Sequence, residues 1–126
     1  MGPGLDMIRN YRDLFVWQKG VDFVTEVYRV TKGLPVEERY GLQAQISRSA
    51  VSIPSNIAEG YGRKSTQDYL RFLQIANGSL FEFQTQLEII KNLEYITHEH
   101  FNALYARSRE IERMLKGLID KLCPRR

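Results

Sequence analysis

The chain is poor in the residues that metal and redox sites are made from: one cysteine and two histidines in 126 residues. A lone cysteine, Cys123, excludes an intrachain disulfide and a cysteine zinc cluster, and it fits a reducing compartment. His98 and His100 stand two apart, so a helix would point them away from each other. Carboxylate metal sites in helical bundles need Glu-x-x-His pairs, but Tyr95 and Thr97 precede the two histidines by three. No metal and no cofactor are therefore assigned. Ser49, Ser52 and Ser55 have no histidine near them in sequence, and Gly60-Tyr61-Gly62 is too short a glycine signal to cradle phosphate. The chain reads as a non-enzyme. No apolar run approaches the roughly 20 residues that cross a bilayer, and the N-terminus lacks the apolar core of a signal peptide. The expected location is the cytoplasm, with no membrane partner.

What the sequence does have is helical spacing. Leu14, Trp17, Val21, Val24 and Tyr28 step by three and four along a first helix, which Gly33-Leu34-Pro35 ends. A second helix spans about Tyr40 to Gly60. Ser65 is a good N-cap for a third, with Asp68 in its first turn. The third helix carries Tyr69, Phe72 or Leu73, Ala76, Leu80, Phe83, Leu87 and Ile90. A fourth begins near Thr97 and carries Phe101, Leu104, Ser108, Ile111, Leu115, Leu118 and Leu122. Short connections make sequential helices antiparallel neighbours. The fold predicted is all-α, an up-down-up-down four-helix bundle over residues 11–123. Residues 1–10 read as a disordered or artificially added arm, and 124–126 as a tail. Gly78 inside the third helix costs roughly 1 kcal/mol against alanine, which points to close approach of another backbone there.

The second helix contains Pro54 inside its apolar pattern of Leu42, Ile46, Ala50, Ile53 and Ile57. Proline removes a backbone donor and clashes with the carbonyl four residues back, so a kink or a split is expected. Ser52, Ser55 and Asn56 can re-bond the freed groups. Gly60 and Gly62 offer a stop. Ser52, Pro54, Asn56, Glu59 and Gly60 form the structural motif of the chain, and Glu59 is expected to be partly shielded and to need a cationic partner.

These residues also carry a resemblance. Tyr40-Gly41-Leu42, Ser52-Ile53-Pro54-Ser55-Asn56-Ile57-Ala58-Glu59-Gly60, Arg63, Phe72-Leu73 and Ala76-Asn77-Gly78-Ser79-Leu80 together resemble the bacterial four helix bundle proteins, or 23S rRNA intervening-sequence proteins. The opening from Tyr11 to Lys19 is similar to the start of that family. The likeness runs through nearly the whole chain after residue 10. Ser47 departs from it, standing where the family pattern implies a second basic residue before Arg48. The resemblance implies a bundle with no established catalytic role that assembles as a homopentamer. It extends to the accessory variability determinant of diversity-generating retroelements, a basic pentameric barrel. That relation implies RNA or DNA, and a reverse transcriptase, as candidate partners.

Net charge is +3, which permits nucleic-acid binding without requiring it. Arg63, Lys64 and Arg71 surround the turn into the third helix. Arg109, Arg113 and Lys116 share one face of the fourth, roughly opposite the seam of Ile111, Leu115 and Leu118. These six are the expected nucleic-acid contacts. Apolar residues off the seams, chiefly Phe23, Leu70 and Phe81, are expected at subunit contacts. The leading function is a non-catalytic, oligomeric nucleic-acid-binding accessory protein, with RNA favoured. The alternative is an interaction scaffold with no affinity for nucleic acid.

Overall fold

Helical spacing becomes four helices in the computed structural model, which describes residues 8–123. They are α1 (Phe15–Thr31), α2 (Leu42–Tyr61), α3 (Thr66–Asn92) and α4 (His98–Leu122). Two short 3-10 turns, Tyr11–Asp13 and Val36–Glu38, precede α1 and α2. Among the described residues there is no strand. Each helix packs on the next, and α1 also packs on α4, so the four surround one core. Residues 1–7 of the expected arm, and the expected tail 124–126, lie outside the described residues. Residues 8–10 belong to the fold: Ile8 packs on the core, and Asn10 caps the first 3-10 turn in a reciprocal box with Asp13.

The helix ends follow local chemistry. The Ser65 hydroxyl accepts the Asp68 N–H at 3.1 Å, and the Thr97 hydroxyl accepts the His100 N–H at 3.0 Å. Each satisfies one of the donors that a helix start leaves free. The α3 end closes with Tyr95 N–H on the Ile90 carbonyl and Glu94 N–H on the Lys91 carbonyl, both at 2.9 Å. Glu94 takes a positive φ of 62° there, a position where glycine is usual.

Leu80, Phe83, Leu87, Ile111 and Leu115 are buried, while Leu118 is half-buried beside them. In α1 the buried line differs from the expected one. It runs Val16, Gly20, Phe23, Val27, Thr31, one residue earlier than the spacing suggested, which is a rotation of about 100°. Both lines keep helical steps, and hydropathy alone does not count glycine as a packing residue. The choice is made by fit. Phe23 meets Phe83 edge-on with ring centres 4.8 Å apart. A Cβ at Gly20 would stand 3.3 Å from Cβ of Pro54. Phe23, expected at a subunit contact, is therefore only 1% exposed and belongs to the protomer core.

Helix α2 runs from Leu42 to Tyr61 through Pro54 without a break, so the proline does not split it. Its ring is buried against the bare backbone of Gly20. The Asn56 side-chain amide donates to the Ser52 carbonyl at 2.8 Å, one turn back along the helix. Gly78 gives a second correction. A side chain there would meet nothing within 4 Å, so no backbone approaches it. The close approach lies at Gly60.

Candidate interaction surfaces

Steps of four along α2 bring Ser52, Asn56 and Gly60 to one face, toward α3. Ser52 and Ser79 hydroxyls lie 2.8 Å apart, and Asn56 donates to the Ser52 hydroxyl at 2.9 Å. One turn earlier, buried Ser49 donates to Gln86 Oε1 at 2.7 Å, and Gln86 donates to Glu82 at 3.1 Å. At Gly60 a Cβ would fall 2.7 Å from Cβ of Phe72 and 3.2 Å from the Tyr69 carbonyl oxygen. Only a hydrogen fits. Most of the signature is thus explained as a close, hydrogen-bonded seam. Glu59 is the exception: it is exposed and pairs with Arg63 at 3.3 Å.

The seam sets the α2–α3 corner, where Arg63 and Arg71 converge on Phe72. Their guanidinium carbons lie 4.5 and 4.9 Å from the ring centre, within cation–π range. Arg71 also approaches Asp68 at 3.7 Å. Lys64 is exposed between them in sequence. Burial, and then neighbouring Tyr61, push the Tyr69 phenol up to about 12, so it stays neutral beside the arginines. On α4 the expected basic face is interleaved with acid. Arg109 pairs with Glu112 and Lys116 with Asp120, both at 3.2 Å, and Arg113 is exposed without such a partner among the described residues. His98 and His100 are exposed in the first turn of α4, and no group of three or more potential metal ligands occurs among the described residues.

The rotation of α1 leaves an apolar face uncovered. Trp17, Val21 and Val24 line a groove against Val51, Pro54 and Ala58 of α2, closed at one end by Tyr11. The groove continues toward the α1–α2 connection past Tyr28, Arg39, Gln43, Ala44, Ser47 and Arg48. On the α3–α4 side a second patch is formed by Phe81, Thr85, Ile89 and Tyr105, with Gln84 and Glu88. Phe81 is 46% exposed there, and Leu70 is half-buried.

A family model described as 23S rRNA-intervening sequence protein matches residues 12–117. The chain belongs to this family. A solved structure from Bacteroides thetaiotaomicron VPI-5482, described as a protein with unknown function from the S23 ribosomal protein family, is 31% identical to it. The TM-score is 0.78, over 83% of this chain and 95% of that one. No curated protein matches the chain.

For this member of the 23S rRNA-intervening sequence protein family, the structure separates signature from surface. Ile53, Ile57 and Gly60 are buried and Ser52 and Asn56 are bonded within the chain, so they hold the fold. Spacing alone assigns the groove residues Trp17, Val21 and Tyr28 to the buried line, because it is as regular as that of the true core line. Arg39 and Arg48 did not stand out as a pair, because they lie nine apart in sequence, one on the connection and one on α2, and share only the lining of one groove. The one available signal was the excess of apolar residues in α1 over what one face can bury.

Proposed function

We propose that the protein is a non-catalytic nucleic-acid-binding accessory protein, RNA favoured, that acts as a homo-oligomer. The α2–α3 corner carries this reading: two guanidiniums gathered on Phe72, with Lys64 beside them, form a compact cationic surface on a rigid seam. Such a surface suits phosphate contact, which is poorly sequence-selective and falls steeply with salt. Self-association would repeat the surface and add avidity. Two uncovered apolar faces, at α1–α2 and at α3–α4, favour contact of unlike faces between copies, and head-to-tail contact closes into rings. The family resemblance favours five copies. A reverse transcriptase is the partner expected if the chain serves a retroelement.

The test is fluorescence anisotropy with structured RNA, duplex DNA and single strands at rising salt, beside light scattering. We expect a particle mass that is a multiple of 14.7 kDa and binding that weakens with salt. Reversing charge at Arg63, Lys64 and Arg71 together should weaken binding at least tenfold with the particle mass unchanged. The same reversal at Arg109, Arg113 and Lys116 should matter less, because those three are spread over two turns of α4 while Arg63 and Arg71 converge on one ring. An absence of binding at low salt would leave the scaffold reading, which the two apolar faces favour independently of charge.

A further inference from the structure

Several cations have no acidic partner among the described residues, Lys64 and Arg113 included, but two of them share one groove. In the α2–α3 cluster Arg63 and Arg71 face carboxylates, and on α4 so do Arg109 and Lys116. Arg39 and Arg48 have no ion-pair partner among the described residues, and both line one open groove of about 450 Å³. No carboxylate lines it. Tyr28 lies on the α1 side and is 51% exposed. Gln43 and Ser47 line it from α2 and make no side-chain hydrogen bond among the described residues. Nearby Glu38 is engaged elsewhere, accepting the Leu42 N–H at 3.1 Å and the Tyr95 hydroxyl at 3.3 Å. Glu26, two residues before Tyr28, pairs with Arg29 at 2.9 Å.

We infer that this groove binds a single-stranded segment of nucleic acid. A strand offers what the groove lacks: phosphates for two unpaired guanidiniums and a flat base for the Tyr28 ring. Guanidinium groups match phosphate oxygens with paired donors. Base–aromatic stacking tolerates any sequence, and it requires bases freed from a duplex. Gln43 and Ser47 supply donors and acceptors for a base edge or sugar. A duplex keeps its bases stacked inside and cannot use Tyr28. This is a second site, separate from the α2–α3 corner, and it rests on the nucleic-acid reading proposed above. It lies at the end of the α1–α2 groove nearest the connection, beyond the apolar stretch suited to a second copy.

The experiment uses a labelled 20-nucleotide oligouridine, the corresponding duplex, and polyglutamate, titrated with the full chain. Variants are Arg39→Ala/Arg48→Ala, Tyr28→Leu and the control Arg29→Ala, which removes an arginine already paired with Glu26. All four residues are exposed, so circular dichroism and particle mass should be unchanged. The single strand should bind more tightly than the duplex. The double arginine variant should lose at least tenfold in affinity and flatten the salt dependence by about 1.4, at about 0.7 per phosphate contact on a single strand. Tyr28→Leu should lose about tenfold with the salt slope unchanged, and Arg29→Ala should bind as the parent does. If the parent binds and these variants bind equally well, this site is wrong and the corner remains. Equal affinity for duplex, untouched by Tyr28→Leu, also overturns it. Polyglutamate binding lost in the double variant while oligouridine binding persists assigns the groove to an acidic protein partner instead. If the parent binds no nucleic acid at low salt, both proposals fall together.

Discussion

Helix α2 makes two seams, and they are built in opposite ways. Toward α3 it presents Ser49, Ser52, Asn56 and Gly60, and the helices close until a glycine hydrogen is all that fits against Phe72. Toward α1 its Pro54 ring packs on bare Gly20, and beside that contact the two helices border an open groove. Small polar residues close a seam because each can bond its opposite number while keeping the axes near. At the α1 seam the larger apolar residues Trp17, Val21 and Val24 line an open groove instead. The closed seam serves the fold, and the open one leaves apolar side chains of α1 and α2 facing a groove.

The largest expected effect comes from forcing the closed seam open. Gly60→Ala places a methyl 2.7 Å from Cβ of Phe72 and 3.2 Å from a backbone oxygen. Neither atom belongs to a flexible chain end, so α3 must move. Overpacking of this kind costs about 1–3 kcal/mol, and the roughly 1 kcal/mol that alanine gains in a helix offsets part of it. A net loss of up to about 2 kcal/mol in urea denaturation is expected. Because Arg63 and Arg71 ride on this corner, nucleic-acid affinity should fall as well. Unchanged stability would show that the seam is softer than the contacts imply. Gly78→Ala, which meets nothing within 4 Å, is the matched control and should gain about 1 kcal/mol.

The two seams were not equally legible in the sequence. The expected lines of helix α3 and helix α4 match the structure closely: Leu80, Phe83, Leu87, Ile111 and Leu115 are buried, while Phe81 and Ile89 on the neighbouring line of α3 are exposed. Ser65 reads as a cap and Thr97 as a helix start, and both hydroxyls cap in the structure, because hydroxyl capping is local chemistry. Helix α1 carries two interleaved apolar lines, and choosing between them needs the partner surface: Phe83 for Phe23, Pro54 for Gly20. Gly60 and Gly78 look alike in sequence, and only the neighbouring helix distinguishes a tight contact from an open face. The candidate groove was illegible for the same reason. Spacing puts Tyr28 in the expected buried line of α1, and Arg39 lies on the connection while Arg48 lies on α2.

A smaller effect tests the closed seam through pH. The Tyr69 phenol is held at about 12, above its ordinary value of 10.0, by burial and then by Tyr61. A folded-state pKa above the unfolded one means the folded chain keeps its proton longer. The stabilisation is intact below pH 10 and is lost as pH rises toward 12. Thermal unfolding between pH 9 and 12 should show the parent losing stability faster than Tyr69→Phe. Parallel curves would mean that the corner admits the phenolate, and that α2 and α3 are less tightly closed there than at Gly60.

The smallest expected effect belongs to the open seam, where Pro54 packs on Gly20. Gly20→Ala places a methyl 3.3 Å from Cβ of Pro54 and 3.7 Å from its Cδ. That is tight without being impossible, and the ring must give by a few tenths of an ångström. Room exists for it, because the groove beside Pro54 is open along Val21, Val24 and Ala58. Alanine meanwhile gains roughly 1 kcal/mol of helix propensity over glycine. The two terms nearly cancel, so urea denaturation should place Gly20→Ala within about 1 kcal/mol of the parent. The contrast with Gly60 is the point of the measurement. Both are buried helical glycines facing a neighbouring helix, and they differ in whether that neighbour can retreat. A loss at Gly20 as large as at Gly60 would mean that α1 and α2 are locked at Pro54, and that the groove beside them is rigid as well as open.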